Sequence, residues 1–375
     1  MREVRLVVWT RDYVRRGPVR APLSVTMEAH WNAASSLSFT IDPQDARADD
    51  LREPGARVVA EYVVDDQVIV RRSGVVESVG GSKGAVEVKV RDDWADVMQQ
   101  LTGWPNPDGD MGEQGDDGAY WTRRGPAETV ALDAIRENAT RAGLTLVVPT
   151  SQGRGGTVDV SLRFHPMADR LYPQVDDAGI GVAVAQVGAE RRVEIAERVT
   201  RTRVLTEASG AVLAGSWSQS APTVTRVVVA CGGEGILRVL RSYVDTQREA
   251  EWPVREAFVD ARDIPADDLE LDAKARKRAD EKLAEGAAKS SVNAPLAESP
   301  RFAFGRSYSL GDVVPIQLDD SPVISDVVRQ VAISWTTEDG LVVTPKAGLW
   351  DDSPDTNLAR TVAQVAREQR DRRTI

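Results

Sequence analysis

The chain has 375 residues, 42% of them apolar, with nine Trp and a formal net charge of −11; that length exceeds one ordinary core and points to two to four domains. The acidic balance argues against a protein that grips DNA by its phosphates and suits a surface past which DNA slides, because like charges repel. A single cysteine, Cys231, excludes an intramolecular disulfide and a Cys-based zinc site, and no apolar run approaches the ~20 residues of a membrane span.

The start, Met1 to Arg5, lacks a secretory apolar region, so synthesis in the cytoplasm is expected. Residues 1–92 then read as strands: Val4–Trp9, Leu23–Trp31, Leu37–Ile41, Arg57–Val64, Gln67–Arg72, Gly74–Val79 and Ala85–Val90 are β-branched or alternating, with turns at Asp65-Asp66 and Gly80 to Gly84. This is the pattern of a β-barrel or sandwich. Asp92-Asp93-Trp94 opens a short helix, followed by the loop "GWPNPDGDMGEQGDDGAYW" from Gly103 to Trp121. Pro126 and Glu128 mark the start of another helix and Gly143 its end.

Further strands at 144–148, 158–164, 181–187 and 192–195 surround a helix from Met167 that Pro173 should kink or cut, and residues 93–198 together make an α+β unit. Strands follow at 201–205, 212–219 and 224–230. Residues 265–286 read as a helix with acids in the first turn, bases later, and an apolar row Leu271, Ala275, Ala279 and Leu283. The Ser, Ala and Pro-rich stretch 287–300 reads as a linker, strands resume over 302–344, and 351–373 reads as a basic amphipathic helix with Leu358, Val362 and Val365 on its apolar side, suited to assembly. The expected fold class is α+β, β-rich and multi-domain.

The turn "ACGGEGILR" (Ala230 to Arg238) follows a strand, as phosphate loops do, but Ile236 and Leu237 stand where Lys and Ser/Thr should be; it is read as a bulge or wide turn between strands. The acids Asp108, Asp110, Glu113, Asp116 and Asp117 invite a calcium reading, yet Gly112, Glu113 and Ala119 fall where a calcium loop wants other residues. Trp104, Tyr120 and Trp121 flank this loop; they either anchor it to the body or cradle a sugar ring. Two His, His30 and His165, with no nucleophile motif nearby leave little for catalysis. No enzyme activity, metal or cofactor is expected.

Several segments in order, "SLSFTIDP" (36–43), "LREPGARVVAEYVVDDQVIVRRSGVVESV" (51–79), "VEVKVRDDW" (86–94), "RRGPAETVALDAIRENA" (123–139), "APTVTRVVVACGGEGILR" (221–238), "REAFVDARDI" (255–264), "SYSLGDVVPI" (307–316) and "VRQVAISWTTEDGLVVTPKAG" (328–348), resemble the tail-hub or minor tail proteins of actinobacterial siphophages. The family is similar to the baseplate hub of contractile tails. The resemblance implies tail-tube-type barrel domains with α/β domains outside, and a division into a first barrel part (1–92), an inserted α+β domain (93–198), strands completing the barrels (199–253), a helical segment and linker (254–300), closing strands (301–350) and a C-terminal helix (351–375). It implies a homotrimeric ring at the virion tail tip contacting distal tail, tape-measure and other minor tail or fibre proteins, with DNA passing without specific binding and no membrane insertion. A tail-tip module gripping cell-wall glycan through Trp104, Tyr120 and Trp121 is the alternative. Two departures stand out: Pro173 lies within a helix expected to be continuous, and Cys231 replaces a smaller residue.

Overall fold

A computed structural model describes residues 2–348 apart from 83, 115–119, 214, 300–301 and 320. The chain is β-rich with five helices among the described residues, an α+β fold. It divides into two compact units, Met1–Gly215 with Asn293–Ile375, and Ser216–Val292. Among the described residues no helix is long and apolar enough to cross a membrane.

The first unit is organised by one antiparallel ladder. Seven strands come from the N-terminal region: β1 (Arg2–Trp9), β2 (Arg15–Pro18), β3 (Pro22–His30), β4 (Ser36–Ile41), β5 (Arg57–Val64), β6 (Gln67–Ser82) and β7 (Ala85–Asp92). They pair in the order β3-β4-β7-β6-β5-β1-β2. Alternation in β4 and β7 sends Leu37, Phe39 and Ile41, and Val86, Val88 and Val90, into the core. By contrast β5 is buried along nearly its whole length, which is why it reads as a continuous apolar run.

Two long strands change partners along their length. The first half of β6 pairs with β5 and its second half with β7. The changeover falls at Gly74, where a Cβ would lie 1.7 Å from the Arg91 carbonyl oxygen, so only glycine permits that approach. Strand Ile324–Thr336 behaves likewise: its start pairs with Val313–Gln317, while its remainder pairs with both Gly340–Ala347 and β3. Register shifts at Val76/Ser78 and Val328/Gln330 accompany both changes, as expected where a bulge bends a strand. Residues near the two ends of the described chain thus share one ladder.

Between these strands lie helices α1 (Asp93–Met98), α2 (Ala127–Ala142) and α3 (Met167–Asp177), with the ribbons Trp121–Pro126/Thr157–Leu162 and Ile180–Val187/Glu190–Glu197. They enclose a core built on Trp94, Met98, Ile135, Leu171, Tyr172 and Val182. Gly143 at φ +65° ends α2 as read from sequence. Pro173 does not cut α3, which continues four residues beyond it to Asp177.

In the second unit, strands Arg226–Ala230, Leu240–Val244 and Glu256–Asp260 form a sheet in which the first is antiparallel to the second and parallel to the third. The short helix α4 (Thr246–Glu251) lies in the connection, and α5 (Leu271–Glu285) packs on the sheet through the expected row Leu271, Ala275, Ala279 and Leu283. α5 starts later than its composition suggests, because Asp268 folds back to accept from the Glu270 amide (2.7 Å) and Lys274 Nζ (2.7 Å). The stretch 287–300, expected as a linker, contains the strand Lys289–Pro295; Val292 and Ala294 are buried there, and burial outweighs a loop-like composition.

Candidate functional site

The aromatic residues singled out beside the acidic loop do not form one platform. Trp104 is half-buried; its Nε1 donates to the Leu101 carbonyl (3.0 Å), the Arg141 guanidinium sits 4.4 Å from its ring and Phe164 meets it edge-on at 5.0 Å. Trp121 is 3% exposed, donates from Nε1 to Glu137 (2.5 Å) and is covered by Arg123 at 4.8 Å. Both therefore tie the loop to α2, which supplies Glu137 and Arg141. Tyr120 alone of the three is largely exposed. The cavity beside Trp104 is about 10 Å³, the room of a single water and far short of a sugar ring.

Within the loop, Gln114 is buried and organises the backbone: its Nε2 donates to the carbonyls of Asn106, Gly109 and Asp110, while its Oε1 accepts from the Asn106 amide. Glu113 accepts from the Asp110 amide (3.0 Å). Among the described residues no group of His, Cys, Asp or Glu has metal-binding geometry; Asp116 and Asp117 lie outside them. The apolar side proposed for assembly, Leu358, Val362 and Val365, also lies outside the described residues.

The glycine turn ends the central strand of the second unit. Arg238, the cation nearest the turn in sequence, is committed to the carbonyls of Ala230 and Cys231 and to the Asp260 carboxylate. The turn instead carries Ile236 fully exposed and Leu237 largely so. Leu240 and Phe258, on the sheet face away from α5, are more than half exposed as well. Cys231 is fully buried, and burial first of all raises its thiol pKa, so it behaves as a small apolar residue.

Sequence reasoning missed two polar junctions inside the first unit. Asp93, fully buried at the start of α1, accepts two bonds from Arg57 (2.7 and 2.5 Å) and one from Ser73 (2.5 Å), while Arg57 also donates to Gln186 (2.8 Å). The neighbouring Asp92 caps α1 and accepts from the Ser35 amide (2.7 Å); burial pushes its carboxyl up to about 6 despite nearby Arg72. At the end of α3, Asp176 accepts from Trp31 Nε1 (2.6 Å), Asn32, Arg198 (2.8 Å) and Arg329 (2.9 Å). Trp31 itself lies where a Cβ on Gly181 or Gly311 would collide with its ring. Those glycines were the only signal in the sequence, and a glycine does not announce which ring it faces. The junctions hold helices onto the ladder and present no reacting group. His30 is consistent with that reading: burial first of all lowers its pKa, and its Nδ1 sits 2.6 Å from the Ala34 carbonyl.

Comparison with known proteins places the chain among phage tail proteins. No curated protein matched the chain. Among solved structures, a 43 kDa tail protein of prophage MuSo2 from Shewanella oneidensis superposes with a TM-score of 0.53 at 11% identity, covering 92% of this chain and 98% of that one. A tail protein from Neisseria meningitidis MC58 gives 0.49 at 13% identity, covering 92% and 96%. The prophage tail protein gp18 from Listeria monocytogenes EGD-e gives 0.45 at 11% identity, covering 97% and 98%. The first of these shares the fold. The model of the siphovirus ReqiPepy6 Gp37-like proteins matches residues 5–348, nearly the whole described chain, and the protein belongs to that family.

Proposed function

We propose that the protein is a structural component of the virion, a tail-tip hub that forms a ring at the end of the tail tube, adapts the tube's symmetry to the tip complex and surrounds the DNA exit channel. The observation that carries this reading is the family match over residues 5–348 together with a fold shared with a prophage tail protein. In it, the ladder built from the N-terminal strands and the strands beyond residue 300 supplies two tube-type barrels, and residues 93–198 are an insertion outside them. The formal charge of −11 suits a conduit that must not hold its cargo. The exposed Ile236, Leu237, Leu240 and Phe258 offer apolar contact area of the kind that assembly surfaces use. Three copies, a distal tail protein, a tape-measure protein and further minor tail or fibre proteins are the partners, and the role requires no catalysis.

Gold-labelled antibody imaging of phage particles tests the location: label confined to the tail tip is expected, and label along the tube or only on free protein overturns the hub. Native mass measurement of the protein released from purified tails tests the ring. Three times the mass of one chain is expected, and a single-chain mass counts against it.

A further inference from the structure

A cleft of about 350 Å³ opens beside the β1–β2 turn and the start of α1, lined by Arg11, Tyr13, Gly55, Arg57, Asp96 and Arg191. Its charge is not balanced. Arg57 is spent on Asp93 and Gln186, and Asp96 is spent on Arg91 (2.5 Å). Arg191 reaches only to 3.9 Å from the Asp93 carboxylate, which already accepts from Arg57 and Ser73. The Arg191 side chain is 12% exposed, and its Nε is buried with no hydrogen-bond acceptor among the described residues. Arg11, at the rim, makes no ion pair among the described residues and rests its stem against Gly55, which holds φ +77°. Two guanidinium charges thus exceed the local carboxylates in a protein that is acidic as a whole.

The cleft is also shaped. Tyr13 takes φ +62°, a conformation that bulky residues rarely adopt, and this lays its ring 4.8 Å from the Arg57 guanidinium. The hairpin fixes this position, because the Tyr13 amide bonds the Thr10 carbonyl (3.1 Å) and the Thr10 amide the Val14 carbonyl (2.9 Å). Pro54 and Val75 add an apolar wall.

We propose that this cleft binds a carboxylate on a short apolar stem, presented as an acidic side chain of a neighbouring protein. Guanidinium forks match a carboxylate with paired N–H donors, an Arg whose one carboxylate partner stands 3.9 Å away and is already shared gains from a closer one, and the ring and apolar wall take the stem. A nucleic-acid backbone is disfavoured, because a polyanion meets the repulsion of the whole acidic chain while one carboxylate meets only the local excess of positive charge. The inference stands apart from the hub reading, which needs no anion site.

The test titrates the full chain at low salt with N-acetylglutamate, with its amide N-acetylglutaminamide, and with inorganic phosphate, following binding by ligand-observed NMR. N-acetylglutamate is expected to bind and the amide not. Arg11→Ala and Arg191→Gln should each weaken binding by about tenfold, the scale of one charge-assisted contact. Arg11 is exposed, so Arg11→Ala keeps the fold and carries the decision if Arg191→Gln loses it. Equal binding of acid and amide, or unchanged binding in Arg11→Ala, overturns the proposal. Binding of phosphate without N-acetylglutamate overturns it too, leaving a site for small inorganic anions.

Discussion

Asp92 shows how a cap can cost stability at neutral pH. Its carboxylate holds the Trp94 and Ser35 amides at the head of α1, yet it is almost fully buried, and burial pushes its pKa from an ordinary 3.8 up to about 6. The native state therefore holds this proton more tightly than the unfolded chain. The associated stability is fully present below pH 3.8 and is lost as pH rises toward 6. At ~1.4 kcal/mol per pKa unit the loss is about 2–3 kcal/mol. Asn caps helices as well as Asp but does not titrate, so urea unfolding of Asp92→Asn across pH 4–6.5 should show that much less pH dependence than the native chain. An identical pH profile for the two would contradict the assignment.

At the scale of elements, Gly74 is the hinge on which β6 changes partners. A methyl group there meets the Arg91 carbonyl oxygen at 1.7 Å and its carbonyl carbon at 2.7 Å, and paired backbone of a neighbouring strand cannot swing aside as a side chain would. Gly74→Ala should lose about 3 kcal/mol or more, whereas Gly80→Ala, six residues along the same strand with nothing within 4 Å of its added Cβ, should change stability by less than about 0.5 kcal/mol. Paired thermal melts decide it, and equal losses would remove the special role of the crossing point.

Legibility in the sequence follows the same physics. Strands β1, β3, β4, β5 and β7 and the apolar row of α5 were readable because local alternation, apolar runs and i,i+4 spacing survive in the fold, whereas β2 was not read as a strand and β6 was read as two, although it runs unbroken from Gln67 to Ser82. The start of α5, the strand at 289–295 and the passage of α3 through Pro173 were not, because distant side chains and tertiary burial decide them. Of the two roles open to the aromatic residues beside the acidic loop, the sequence favoured anchoring, but it gave no partners: Trp121 meets Glu137 sixteen residues away, and Trp104 meets Arg141 on the same helix, farther still along the chain. The junctions at Asp93 and Asp176 gather residues more than a hundred positions apart, and no local pattern encodes them.

At the scale of the whole molecule, the chain leaves the first unit after Gly215 and re-enters it at Asn293. The two points touch: a Cβ on Gly215 would lie 2.7 Å from the Asn293 carbonyl oxygen. An insertion between adjacent points is removable without stretching its host. Replacing 216–292 with a short Gly/Ser linker should leave a soluble first unit with a single cooperative melt, read by size exclusion and calorimetry; an aggregated product would mean that the first unit depends on the second.

The shared ladder also sets an order of events during synthesis. Strand β3 is finished within the first thirty residues, but the partner that covers one of its edges, residues 330–336, leaves the ribosome some three hundred residues later. Until then that edge offers unpaired amide and carbonyl groups to any other nascent chain. Polysomes making this protein thus carry many copies of the same open edge at once, and its yield in a host cell should be governed by how well those edges are shielded while translation completes.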